Sequence, residues 1–257
     1  MSGAGPGAPG PGPADQAAVP EGLVASVVDL VHTGPVLLGA YTIAELTAVD
    51  AIVDFLEARP SDEVLAEAVR SLAARQLLVA GPPGDQVQVR GDLGIAVAFQ
   101  QRARLVLDAR VTGAKPGEPW RILLLPQPER ICLVVRIDTL GVHELGLYTL
   151  DEALRMLGAI LPRGQRADGG PAADADQVLG TAERSALVTV THYTAQGSAE
   201  IAGASTDLVL ARRDGRLHVF ERDPADRARL VASPPDGRNV RDTLAAMLAL
   251  GSLAPHR

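Results

Sequence analysis

The C-terminal two-thirds of the chain reads as one unit written twice, and that repetition constrains the fold more than any other feature. Arg104–Gly113 (RLVLDARVTG) is answered by Ala186–Ala195 (ALVTVTHYTA), and Arg121–Asp138 by Asp207–Asp223. Each copy closes on a helical pattern, Thr149–Leu161 in the first and Asn239–Leu253 in the second. A strand–hairpin–helix unit has an apolar face it must bury against something, and a second copy supplies that surface. The expected fold is therefore α+β: a mixed, mainly antiparallel sheet with helices packed on it, in two pseudo-symmetric halves. The expected organisation is a disordered Gly/Pro-rich tail at 1–20 and a single domain over 21–257. That domain comprises a helical and hairpin part (21–103), a first repeat (104–161), a linker (162–183) and a second repeat (184–253).

Local signals fill in the order. Leu23, Val27, Val28 and Val31 recur at helical spacing. Thr42-x-x-Glu45 is a capping box opening a helix whose apolar face is Ile43, Leu46, Val49, Ile52, Val53 and Leu56, ended by Pro60. Ser61 is placed to cap a second helix, with Asp62 and Glu63 in its first turn. Leu77–Val79, Gly81–Asp85 and Val87–Val89 predict a small hairpin, and Asp92 a cap for a further short helix. In the first repeat, strands are predicted near 104–111, 121–125 and 131–137, then a helix capped by Thr149 and Glu152. In the second, strands near 186–193, 207–212 and 216–222 precede the closing helix, with Asp214-Gly215 a hairpin turn. Residues 162–177 have a flexible linker's composition.

Composition removes several kinds of function. The net charge of -7 repels phosphate backbones. The helix–helix–hairpin order of 42–90 is that of a winged helix. Between Thr42 and Gln101, however, nine acids face only Arg59, Arg70, Arg75 and Arg90. A winged-helix DNA-binding regulator is thus the runner-up reading, and nucleic acid is not the expected partner. No run of 18 apolar residues exists and the first 20 residues lack a basic stretch, so neither membrane insertion nor a signal peptide is expected, and the predicted location is cytoplasmic. Cys132 is the only cysteine and lies in a strand pattern, where a buried, inert thiol is expected. His32, His143, His192, His218 and His256 lack metal-ligand spacing; His192 and His218 could meet on one sheet face, but zinc wants at least three protein ligands. No catalytic motif, metal site or cofactor is expected. An enzyme of unrecognised type stays a third alternative.

Trp120 and Lys115 stand out as the chain's only Trp and only Lys, in the Gly- and Pro-rich connection TGAKPGEPW. Trp is enriched at the energetic centres of interfaces; the alternative is that Trp120 plugs the edge of the core.

Several phrases resemble the EspG family, the cytosolic chaperones of actinobacterial type VII (ESX) secretion. These are LAARQLL at Leu72–Leu78, ARRDGRLHVF at Ala211–Phe220, a helix between Pro234 and Leu250, and the two sheet-and-helix halves. Gln76 stands where the family prefers Gly. The resemblance spans about 40–252 and implies an EspG-like domain that binds and does not catalyse. The implied partner is the tip of a helical secretion substrate, a PE–PPE-type heterodimer. The family places contacts on a sheet loop and on the C-terminal helical region. By analogy the candidate loops are Gly113–Trp120, with Gly113, Lys115, Pro116 and Trp120, and Ala195–Ser205, with Gln196, Ser198 and Ile201.

Overall fold

A computed structural model describes residues 21–51, 60–80, 87–167, 174–196, 199–233 and 239–252. Helix α1 (Glu21–Thr33) leads to strand β1 (Val36–Thr42), helices α2 (Ile43–Ala48) and α3 (Asp62–Ala74), a hairpin of β2 (Leu78–Val79) and β3 (Gln88–Val89), and helix α4 (Gly91–Arg102). A first meander follows: β4 (Leu105–Thr112), β5 (Arg121–Pro126), β6 (Ile131–Ile137) and β7 (Val142–Thr149), closed by α5 (Leu150–Ile160). Short β8 (Gln165–Arg166) and α6 (Ala175–Gly180) lead to a second meander. Its strands are β9 (Arg184–Gln196), β10 (Ala199–Arg213), β11 (Arg216–Arg222) and β12 (Leu230–Ala232), closed by α7 (Val240–Ser252).

The fold is α+β, with seven helices, a ten-stranded sheet and the separate β2–β3 hairpin among the described residues. The large sheet runs β1-β7-β6-β5-β4-β9-β10-β11-β12, with β8 beside β11. Every pairing in it is antiparallel except β8 with β11. Both meanders start at the central β4–β9 pair and step outward, so each repeat holds four strands and a helix, one strand more than the sequence predicts.

Side-chain alternation gives the sheet two buried faces. On one, Leu107, Ala109 and Val111 of β4 and Ala186, Val188 and Val190 of β9 pack with Leu154 and Leu157 of α5 and Leu244 and Leu248 of α7. On the other, Leu123, Leu125, Leu133, Val135, Leu145 and Leu147 pack under α1 to α4. Farther along this second face, α6 sets Ala175 and Val178 on Val209, Ala211 and Phe220. The apolar stripes of the two closing helices therefore meet in one core, as their sequence periodicity predicts.

Local departures have physical causes. The capping box at Thr42 is present, but its helix stops at Ala48. Asp50 takes a left-handed conformation (φ 53°) and the Ala51 amide donates back to the Leu46 carbonyl at 2.8 Å, a Schellman closure. The Ile52, Val53 and Leu56 part of the predicted stripe lies outside the described residues, as do the tail at 1–20 and the hairpin's 81–86. Helix α4 starts one residue before Asp92, with Arg90 at the N-cap position, so Asp92 supports its first turn as a charge and does not cap it. Ser61 holds the N-cap position of α3 without a side-chain bond. The predicted linker is structured in part: β8 adds to β11 beside the Asp214-Gly215 turn, and α6 covers Phe220. Asp214 and Gly215 both have positive φ (52° and 72°), as a type I′ turn requires.

Leu154 and Leu244 are 4% and 0% exposed. Replacing either with Ala is expected to cost about 2–5 kcal/mol, the range for a buried Leu that leaves a cavity. Urea denaturation would check it; losses under ~1 kcal/mol at both sites would mean that the helices are not packed on the sheet.

Candidate functional site

The two loops singled out from the sequence occupy opposite ends of the central strand pair. Thr112, just before the first loop, pairs with Ser185, whereas Leu105 pairs with His192, near the second. With seven steps between Ser185 and His192, at ~3.4 Å per residue, the two ends lie about 24 Å apart. One compact partner tip cannot meet both.

Gly113–Trp120 is a loop, but one tied to the sheet. Arg184 of β9 donates to Glu118 Oε2 at 2.8 Å, and the Lys115 amide donates to the same oxygen at 3.1 Å. These contacts hold the Glu118 carboxyl below the usual carboxylate range, the Lys115 amide contributing most. Gly113 has φ 70°, and a Cβ there would sit 2.9 Å from the Glu183 carbonyl oxygen, so its glycine is a structural need. Trp120 is half-buried against the core beneath the helices, and its amide donates to Ile137 O at 3.0 Å. It plugs the core edge, which is the alternative its position allowed. Lys115 and Pro116 remain exposed at the loop's tip.

The described residues of Ala195–Ser205 form strand, not loop. β9 continues to Gln196 and β10 resumes at Ala199, pairing Gln196 with Ala199, Ala195 with Glu200 and Thr194 with Ile201. Small residues suggested a loop; cross-strand pairing of two long neighbouring strands overrides that weak local preference. Ser198 lies outside the described residues. The hairpin outruns its neighbours. The last β9 link toward β4 is Tyr193 N to Arg104 O at 2.9 Å, and β10 meets β11 only from Leu208 onward. Residues 194–196 pair with 199–201, and among the described residues they have no other strand partner. The arm extends past β4 by about 10 Å at ~3.4 Å per residue, and both its flanks present backbone donors and acceptors.

Between the α1–α4 layer and α6, the second sheet face carries a polar row that the sequence did not suggest. Its cross-strand register runs Leu123, Asp108, Thr189, Asp207, with Arg222 next on β11. Arg121 donates through Nε and Nη2 to the two Asp108 oxygens (2.9 and 2.8 Å), and Arg110 Nε joins Oδ2 at 3.2 Å. Thr189 donates to Asp207 Oδ1 at 2.7 Å, and Arg222 donates to Oδ2. A cavity of about 280 Å³ lies over the row, beside a cleft of about 390 Å³ bounded by Ser205, Glu221 and Arg227. Each carboxylate is held by an arginine, so the row is a set of internal ion pairs.

The remaining titratable candidates disperse. His192 pairs with Leu105 and His218 with Ala211, residues whose side chains lie on opposite sheet faces, so the histidines do not meet. No group of three metal-binding side chains occurs among the described residues. Cys132 is fully buried, and burial pushes its thiol well above the ordinary range, which leaves it unreactive. Helix, helix and hairpin do follow one another at 43–89, yet α3 exposes Asp62, Glu63 and Glu67, with Arg70 paired to Glu67 at 2.7 Å. Such a face does not displace counterions from a phosphate backbone. No described helix is long and apolar enough to cross a membrane.

No family model matches this chain, and no curated protein matches it.

Two outcomes follow from this geometry. The Arg121 side chain is 4% exposed, so Asp108→Ala would leave a buried cation unpaired, at an expected cost of about 3–5 kcal/mol. Replacing both partners with apolar residues of similar volume should recover most of it; a single variant losing under ~1 kcal/mol in chemical denaturation would show that the pair is not desolvated.

His143 is 2% exposed, and burial holds its imidazole below the ordinary histidine range, with Arg121 adding to the shift. The Gly141 carbonyl at 2.9 Å, the Tyr41 backbone and Asp138 oppose it. The folded state therefore binds fewer protons than the unfolded one. This contribution is whole above the unfolded value of 6.5 and is lost as pH falls below it toward the folded value. His143→Gln should lose stability less steeply than the parent between about pH 6.5 and 5. Equal slopes in denaturation series would mean that folding does not shift the titration of His143.

Proposed function

We propose that this protein is a non-enzymatic, chaperone-like binder of a helical secretion substrate of the PE–PPE type, acting in the cytoplasm in type VII secretion, and that the β9–β10 arm is its docking element. The observation that carries this reading is the arm itself. It leaves the sheet with both flanks open to further pairing, and from Thr194 to Thr206 it holds a single charged residue, Glu200. Interface centres disfavour charge, and small-residue segments adapt to variable partners. Gln76 lends further support. It ends α3 in a left-handed conformation (φ 59°), with the Leu77 amide donating to Leu72 O at 2.9 Å. That conformation favours glycine, the residue preferred there in the family the chain resembles.

The opposite placement of the two loops makes the test specific. Ile201→Asp should abolish co-purification of a helical partner while leaving the melting temperature unchanged. Lys115→Asp, at the other end of the sheet, should retain it. A partner held at full strength by Ile201→Asp would sink the arm as the docking element; a partner lost with Lys115→Asp alone would move the site to Gly113–Trp120.

A further inference from the structure

The two closing helices do not sit alike on the sheet. α5 packs over β5, β6 and β7, within its own meander. The corresponding strands of the second meander are β10, β11 and β12, yet α7 packs over β4 and β9, nearer the centre. The apolar side chains that β10 and β11 aim at this face, Leu208, Leu210, Leu217 and Val219, therefore lie beneath a gap between the C-terminal end of α5 and the N-terminal end of α7. The gap is a cavity of about 450 Å³, walled by Leu161 and Val240. Arg163, Arg166 and Arg241 also line it, Arg241 already paired with Asp151 at 3.3 Å, and no carboxylate is among the described lining residues, although the chain as a whole carries a net charge of -7.

The shape limits what could enter. Leu208, Leu210, Leu217 and Val219 are 2%, 0%, 5% and 9% exposed, so the floor is deeply covered and only its Leu217–Val219 side offers surface to a ligand. The 161–166 segment passes close above β11: a Cβ at Gly164 would lie 2.6 Å from the Gly215 carbonyl oxygen. An α-helix is about 10–12 Å across with its side chains, too broad to reach so covered a floor; a single methylene chain is far slimmer. The volume falls in the range of small-ligand sites, about 300–1,000 Å³.

We propose that this cavity binds a slender amphiphile, an unbranched acyl chain with a carboxylate head, its tail against Leu217 and Val219 and its head among the arginines. Arg163 is exposed and donates Nε to the Gly158 carbonyl at 2.9 Å, which places its guanidinium at the mouth. Arg166 is fixed from behind by donating to Ser233 O and Oγ, both at 3.2 Å. Guanidinium groups suit carboxylates because their N–H groups match the two oxygens. The site is independent of the β9–β10 arm.

The experiment is calorimetric titration of the full-length protein with laurate below its micellar concentration, beside dodecanol and dodecyltrimethylammonium as neutral and cationic probes of equal chain length. Saturable one-to-one laurate binding is expected, with dodecanol weaker by about tenfold or more, the order of one charge-assisted hydrogen bond, and no cation binding. Arg163→Glu should weaken laurate by a similar factor, and Val240→Trp, which fills the cavity, should abolish binding. Arg163 is exposed, so its variant reports even if Val240→Trp fails to fold. No saturable binding, equal binding of all three probes, or unchanged laurate binding by Arg163→Glu would each overturn the proposal.

Discussion

Every strand of the large sheet takes its place from the pairing of β4 with β9. The pair joins segments whose nearest partners, Thr112 and Ser185, are 73 residues apart, and both meanders grow outward from it. So non-local a contact is entropically costly to close and places the sheet among slow-forming topologies. Its register must also be right the first time. A slip of one residue would turn Leu107 and Val188 away from α5 and α7 and drive Asp108 and Thr189 into that apolar layer. The polar row from Asp108 to Arg222 thus works as a key cut into the central strands. It satisfies its bonds in one alignment and leaves buried charge unpaired in the others.

Buried charge is used the same way where the helical part meets the sheet. Glu45 is only 6% exposed, yet its carboxylate accepts from the Thr42 amide, Ser71 and Arg75, each at 2.9 Å. It joins the end of β1, the start of α2 and the face of α3, and Arg75 also lies over the Tyr41 ring at 5.1 Å. Ion pairs of this kind add little net stability once desolvation is counted, whereas losing one partner costs a great deal. In a chain whose core is nearly all aliphatic, they specify which surfaces meet while leucine and valine supply the driving force.

That division explains what the sequence disclosed. Both capping boxes, the Asp214-Gly215 turn and the closing-helix stripes are local or periodic, and each occurs in the fold. The sequence reading does not predict β1 and β7, whose seven and eight residues each run directly into a capping box. The missed signal is a second echo: Tyr41-Thr42-Ile43-Ala44-Glu45 and Tyr148-Thr149-Leu150-Asp151-Glu152 each end a strand and cap a helix. The arm is extended where a loop is predicted. Ala, Gly and Ser carry no strand preference, and only the tertiary pairing of β9 with β10 makes 199–205 extended. The polar row was illegible because Asp108, Thr189, Asp207 and Arg222 are far apart in the chain, and only register sets them side by side.

The two meanders are covered differently on the face that carries α5 and α7. A sheet side-chain layer can be filled by large rings or by another helix, and this chain is only 3% aromatic. Over β5 to β7, α5 does the filling with Ala153, Leu154 and Leu157. Over β10 and β11 neither is found among the described residues, because α7 is drawn to the central strands, where Leu244 and Leu248 complete the β4–β9 core. The central pair must be covered for the two meanders to cohere, so the helix that would have roofed the second one serves the joint instead. A core of aliphatic side chains cannot reach across the space left behind. The open cavity is therefore a consequence of how the two halves are joined, and its arginine-lined mouth gives that space a chemical preference.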